Sequence, residues 1–224
     1  MSERRLTARI VPDDESGRAE AIAALRAGGI VALPTDTVYG IAVAMDAPGG
    51  IERLFAAKRR APEKGIVLLL ADAAQAREIG HWPPAAAALA DAFWPGGLTL
   101  VVPRRPDVAL PEALTGGAAT IGLRVPDHPA PRALAAAVGP LPTTSANISG
   151  LPEAGDAAAI LDQLGEEVGL ILDGGAAHGG PPSTVVDCAR DQVSILRPGA
   201  IDEAPIAAVL DETGIGHAIG GPVD

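Results

Sequence analysis

At 224 residues with 48% hydrophobic side chains, the chain is long enough for one substantial core and hardly long enough for two. Its 17 basic and 28 acidic residues leave a formal charge of -11, which repels nucleic acid at long range, and 2% aromatics offer little for base stacking, so a dedicated RNA-binding surface is disfavoured. No run approaches the roughly eighteen apolar residues that span a membrane, and the charged start MSERRLTARIVPDDESG is unlike a signal sequence, so a cytoplasmic protein is expected.

In chain order, a helical pattern at Arg18–Ala27 leads into a β-rich run at Gly29–Leu33 and, past Pro34 to Val38, a second run at Tyr39–Ala44. A helix at Ile51–Lys58 precedes a strand at Ile66–Ala71, and a helix at Ala85–Phe93 precedes a strand at Leu98–Pro103. The run Thr120–Val125 is followed by helices at Arg132–Val138 and Ala157–Leu164, then by runs at Leu170–Leu172, Thr184–Asp187 and Val193–Leu196. Leu33 to Tyr39 and Asp187 to Val193 join neighbouring runs without a helix, which argues against a purely parallel sheet. The fold class is therefore α/β: a twisted mixed sheet flanked by helices, in a single domain, 1–224, with its core at about 18–212. Val11–Pro12 reads as a fraying end, and the glycine-rich 213–224 as a flexible tail.

Several chemistries lack their residues. There is no G-x-x-x-x-G-K-[ST] phosphate loop. His81, His128, His178 and His217 lie far apart with no Cys or His at ligand spacing, which argues against zinc, and no metal ligand among the side chains stands out. The lone Cys188, in STVVDC, reads as a small hydrophobe in a buried strand.

The survivors of a skewed composition are more informative. The chain has two lysines, Lys58 and Lys64, one asparagine, Asn147, and one tyrosine, Tyr39. Arginine replaces lysine on ordinary surfaces but not where a compact ammonium must sit. Lys58-Arg59-Arg60-Ala61-Pro62-Glu63-Lys64 places four cations in seven residues at a helix end. A helix dipole accounts for one or two of them; a K-x-R pair in a loop suits a phosphate, the lysine as a point charge and the arginine as a fork. Leu33 to Gly40, LPTDTVYG, puts small hydroxyls and a phenol after an apolar strand, where ligand groups are often presented but where Asp and Thr also form ordinary turns. Leu141 to Gly150, LPTTSANISG, resembles a strand ending in a polar turn, again either a plain turn or a set of uncharged donors and acceptors for a phosphate or ribose. Arg124 and Arg197 each close an apolar strand, a costly place unless the head reaches solvent or an anion.

Taken in order, PTDTVYG, KRR with a prolyl loop, FWPGGLTLVV, IGLRVPDHP, TTSANISG, STVVDC and ILRPGAI resemble the YrdC family of threonylcarbamoyl-AMP synthases, from about Gly28 to Ile201. The resemblance implies a YrdC-like sheet with a concave nucleotide-binding cavity. It also implies an enzyme that joins L-threonine, bicarbonate or CO2, and ATP with Mg2+ into threonylcarbamoyl-adenylate and pyrophosphate. The K-x-R and S-x-N pieces, Lys58, Arg60, Ser145 and Asn147, are marked by it as a catalytic tetrad. It further implies Thr35, Tyr39, Arg124 and Ser183 at the threonine pocket, with Arg124 on the carboxylate, and Thr120, Thr143 and Arg197 beside the tetrad at ATP. The implied partner is the machinery that transfers the threonylcarbamoyl group to tRNA, without stable tRNA binding by this chain. Ala61 and Gly97 stand where prolines are expected, and Ile66–Leu70 lacks the histidine of some members. Two alternatives stand beside this: an RNA-binding module built on the Lys58–Lys64 patch, and carbamoyl transfer in cofactor maturation, whose proteins carry further modules absent here.

Overall fold

The computed structural model describes residues 8–59, 66–177 and 179–219. The elements run β1 (Arg9–Pro12), α1 (Glu15–Arg26), β2 (Val31–Leu33), β3 (Gly40–Ala42), α2 (Gly50–Ala57), β4 (Val67–Leu69), α3 (Ala73–Ile79), α4 (Pro84–Phe93) and β5 (Leu98–Pro103). They continue α5 (Glu112–Thr115), β6 (Thr120–Arg124), α6 (Pro129–Val138), β7 (Leu141–Ser145), α7 (Ala157–Leu164), β8 (Leu170–Asp173), β9 (Thr184–Asp187), β10 (Ser194–Arg197) and α8 (Glu203–Glu212). The helices begin where polar side chains can take up free N–H groups: Asp14 accepts from Gly17, Asp72 from Ala74 and Gln75, and Asp156 from Ala159. Proline opens α4 and α6, where its missing N–H costs nothing.

All ten strands join one sheet in the order β1-β8-β2-β3-β7-β4-β6-β5-β9-β10. Four parallel pairs (β1/β8, β2/β8, β4/β6, β5/β9) stand among five antiparallel ones (β2/β3, β3/β7, β4/β7, β5/β6, β9/β10), the mixed sheet expected from runs joined without helices. The two-residue period of a strand sends neighbours to opposite faces. Ala32, Ile41 and Leu68 pack in one apolar cluster with Leu54, Leu89 and Leu210 of α2, α4 and α8. Val31, Leu33, Ala42 and Leu69 pack in the other, with Leu25 of α1 and Leu134 of α6.

Two expectations about the ends need correction. Val11 and Pro12, read as fraying, lie in β1, paired in parallel with Leu172 and Asp173. The tail is held as far as Ile219, which is buried: Ala218 N–H donates to Val193 O, His217 meets Asp211, and Ile215 N–H donates to Leu210 O. Its glycines hid the apolar residues between them. Helices α3 and α5 were not foreseen, being too short to show a period.

The sheet also fixes which loops meet. Gly40 pairs with Ser145, so the turn before β3 lies beside the turn after β7, and a Cβ at Gly40 would sit 2.8 Å from Thr143 Cγ2. Leu98 pairs with Thr184, which brings Gly96–Gly97 against Ser183. Gly199 lies so close to the Pro182–Thr184 backbone that a Cβ there would be 2.2 Å from Pro182 O, so the turn after β10 is pressed onto the same edge. Gly97, where a proline was expected, leaves room for Ala200, whose Cβ would be 2.8 Å from any Cβ at 97.

Cys188 is buried beside β9, as its setting suggested, and burial followed by the nearby Asp187 charge pushes its thiol up to about 12. The thiolate, the reactive form, is therefore scarce at pH 8. Native protein should resist a thiol reagent at pH 8 while urea-unfolded chain reacts at once; equal labelling rates would show that this edge of the sheet opens freely.

Candidate active site

These loops enclose a cavity of about 420 Å³. Of the sequence-predicted site residues, Thr35, Tyr39, Thr120, Arg124 and Thr143 line it, as do Ser145, Ser183 and Arg197. Lys58 and Asn147 are not among the lining residues; both are buried behind Ser145 and hydrogen-bonded to it. Arg60 and Lys64 lie outside the described residues.

Lys58 ends α2 and is 2% exposed. Its Nζ donates to the Ser145 carbonyl, to Ser145 Oγ at 3.1 Å and to Asn147 Oδ1 at 2.9 Å. Ser145 Oγ donates to the same Oδ1 at 2.7 Å. The Asn147 amide donates in turn to Leu151 O at 2.7 Å and Ile148 O at 3.2 Å, and Ser149 N–H donates to Lys58 O. The S-x-N turn is thus wound around the lysine. Burial also removes Lys58 from any surface patch for RNA, which corrects that alternative: an ammonium that meets almost no solvent cannot face a phosphate backbone from the protein's exterior.

At the other end, Arg124 closes β6 at 5% exposure. Its Nε donates to Gly96 O at 2.9 Å, Nη1 to Thr37 Oγ1 at 2.9 Å and Nη2 to Asp36 Oδ1 at 2.6 Å. Burial pushes its pKa down, and the Asp36 carboxylate pushes it back up. The hydroxyls behind it are ordered by their partners. Arg124 only donates and Val38 O only accepts, so the Thr37 hydroxyl points to Thr35 Oγ1 (3.2 Å) and Thr35 to Val38 O (2.6 Å), while Thr37 N–H also donates to Thr35 Oγ1. Thr35 therefore makes the hydroxyl turn that the sequence allowed as its plainer reading, and it braces Arg124 through Thr37.

Tyr39 lines the cavity, but its hydroxyl donates to Gly175 O at 2.7 Å and accepts from Gly174 N–H at 3.0 Å. Desolvation raises its pKa, and the Gly174 bond partly offsets this. Arg197, an exposed residue, lays its guanidinium on Ser183 O (2.7 Å from Nη2) and Oγ (3.1 Å), and Ser183 Oγ meets Thr99 Oγ1 at 2.8 Å. Thr143 donates to Leu141 O. Sequence reasoning missed Asp36, Thr37, Thr99 and Glu153. The first two lay inside the segment singled out, Thr99 was the polar member of an apolar strand, and Glu153, which lines the cavity, had no signal beyond following the S-x-N turn.

The sequence model of the Sua5, YciO and YrdC family, described as "Telomere recombination", matches residues 23–199. The chain belongs to this family. Among Sua5/YciO/YrdC proteins it is 38% identical over 194 residues to a threonylcarbamoyl-AMP synthase of Bacillus subtilis, covering 86% of this chain and 56% of that one. It is 38% identical over 210 residues to a putative threonylcarbamoyl-AMP synthase of Mycobacterium leprae, covering 89% and 90%. The solved Sua5 of P. abyssi complexed with L-threonine superposes with a TM-score of 0.84 at 32% identity, covering 94% of this chain and 62% of that one. The chain thus spans little more than half of the Bacillus relative and nearly all of the Mycobacterium one. No helix among the described residues is long and apolar enough to cross a membrane.

Replacing Tyr39 by Phe leaves one buried donor and one acceptor unmet, which should cost about 1–3 kcal/mol of unfolding free energy. Urea denaturation checks this; an unchanged midpoint would show that the hydroxyl is not held by the 174–175 backbone.

Proposed function

We propose that this chain is a cytoplasmic threonylcarbamoyl-AMP synthase that converts L-threonine, bicarbonate-derived CO2 and MgATP into threonylcarbamoyl-adenylate and pyrophosphate. The product is passed to the machinery that modifies tRNA. The observation that carries this reading is one cavity walled at one end by a braced arginine and at the other by the S-x-N turn that holds Lys58.

Arg124 takes the threonine carboxylate, with Ser183 and the Tyr39 ring bounding the amino acid. The α-amine, once deprotonated, attacks CO2 and loses a proton to give the carbamate. A carbamate oxygen then attacks the α-phosphorus of ATP, and the bond to pyrophosphate breaks. Repulsion opposes that approach, since two unit charges 4 Å apart cost about 4 kcal/mol at an effective dielectric near 20. Lys58 and Arg60 offset it as clamps on the phosphates rather than as acids or bases. Ser145, which shares its hydroxyl with Lys58 and Asn147, fixes the direction in which the ammonium points, and Thr120, Thr143 and Arg197 border the nucleotide. The magnesium ion enters with ATP as part of the substrate. Neutral oxygens dominate this end, and no cluster of three or more acidic, histidine or cysteine side chains stands among the described residues, which suits an ion held mainly by phosphates and water.

Pyrophosphate release should require threonine, bicarbonate and ATP together, and Lys58→Ala or Arg60→Ala should lower turnover at least ~10²-fold with the far-ultraviolet circular dichroism unchanged. Release without threonine, or near-normal turnover in either variant, would contradict the assignment.

A further inference from the structure

A guanidinium as buried as that of Arg124 has to be satisfied from the protein side before any ligand arrives. It has five N–H donors, and Gly96 O, Thr37 Oγ1 and Asp36 Oδ1 take three of them. The remaining two lie one on each terminal nitrogen, the pattern that grips the two oxygens of a carboxylate. Thr35 and Thr37 are among the described residues that line the cavity and Asp36 is not, so Asp36 reaches Arg124 from outside the ligand space. Its side chain is 16% exposed and forms the ion pair at 2.6 Å.

That pair changes the charge of the pocket. The charged side chains on the described cavity wall are Arg124, Arg197 and Glu153. Adding Asp36 gives two cations and two carboxylates, a sum of zero that leaves aside Lys58, buried behind Ser145 at the other end. Burial pushes the Arg197 pKa down, the Glu153 carboxylate pushes it back up and the Arg124 charge lowers it further, so the three charges feel one another. An Arg124 without Asp36 would lose the contact that fixes its plane and would carry an uncancelled charge open to phosphate, for which a guanidinium fork is equally well shaped. In a cavity that admits a triphosphate and releases pyrophosphate, such an arginine would be occupied by the wrong anion.

We propose that Asp36 is a positioning residue that restricts the Arg124 end of the cavity to a net-neutral, zwitterionic α-amino acid and keeps phosphate and pyrophosphate out of it. This rests on the function proposed above, in which Arg124 holds the amino-acid carboxylate. Asp36 acts through Arg124: it fixes the plane of the guanidinium and cancels its charge, so recognition depends on the paired geometry of the two free N–H groups instead of on net attraction. Polyanions are rejected by the carboxylate behind the arginine, a repulsive element of the kind on which specificity often depends.

Calorimetric titration of the full chain with L-threonine, alone and against sodium pyrophosphate, tests this in wild type, Asp36→Asn and Asp36→Glu. Asp36→Asn should bind threonine at least ~10-fold more weakly, and pyrophosphate should displace what remains bound. Asp36→Glu, which keeps the charge, should restore threonine binding to within ~3-fold of wild type, and pyrophosphate should displace threonine from neither. Unchanged threonine affinity in Asp36→Asn, or displacement from wild type as readily as from the variant, overturns the proposal. Should Asp36→Asn not fold, the competition in wild type and Asp36→Glu decides: exclusion from both supports it and displacement from either overturns it. A wild type that binds no threonine sinks the proposed function itself, an outcome distinct from a threonine-binding protein indifferent to residue 36.

Discussion

An ammonium can leave water only if acceptors converge on it, and in this chain the burial of Lys58 decides what the polar turns around it must do. Oxygens from residues 145 and 147 close on Nζ, and the amide of Asn147 ties down the 148–151 backbone beyond. The arrangement needs the last residue of β7 to lie against the end of α2. The β3/β7 pairing fixes where that last residue falls, and the small residues at Gly40 and Ala146 let the strands and turn approach. An arginine would not substitute, because its planar fork cannot direct three donors at acceptors gathered around a single point.

The cavity's two ends solve the same electrostatic problem differently. Arg124 is held by a carboxylate, a hydroxyl and a carbonyl from the 34–38 and 96 turns, and the order of donors through Thr37 and Thr35 leaves no freedom in the direction of that chain. Thr35 and Tyr39 then shape the pocket without lending it a free hydroxyl, since the hydroxyl of each is committed to backbone. Much of what makes the motif PTDTVYG recognisable is this internal bracing. The side of it that meets a ligand is narrower than the run of polar letters suggests.

Composition exposed Lys58 and Asn147 before any fold was considered, because a sequence that writes arginine for lysine nearly everywhere keeps lysine only where a fork cannot serve. Strand positions were legible where β-branched and leucine residues ran uninterrupted, as in Leu98–Pro103 and Thr184–Asp187, whose bounds match the structure. What could not be read was long-range pairing. Asp36 is an ordinary turn residue until Arg124, 88 positions away, is placed against it, and Thr99 is an isolated hydroxyl until Ser183 faces it. The edge strand β1 and the tail to Ile219 escaped for a related reason: few apolar residues mark them, and pairing holds them, β1 with Leu170–Asp173 and the tail with Val193 and the end of α8. Sequence periodicity reports burial of a face, and neither segment has one.

The central claim is that Lys58, as the S-x-N turn aims it, meets a phosphate in the same cavity where Arg124 meets a carboxylate. A crystal structure with L-threonine and a non-hydrolysable ATP analogue tests it most directly. The account predicts a phosphate oxygen within ~3 Å of Lys58 Nζ, in place of one of its Ser145 or Asn147 acceptors, and both threonine carboxylate oxygens at hydrogen-bond distance from the Arg124 terminal nitrogens. A triphosphate bound away from Lys58, or a threonine that leaves Arg124 untouched, would contradict it.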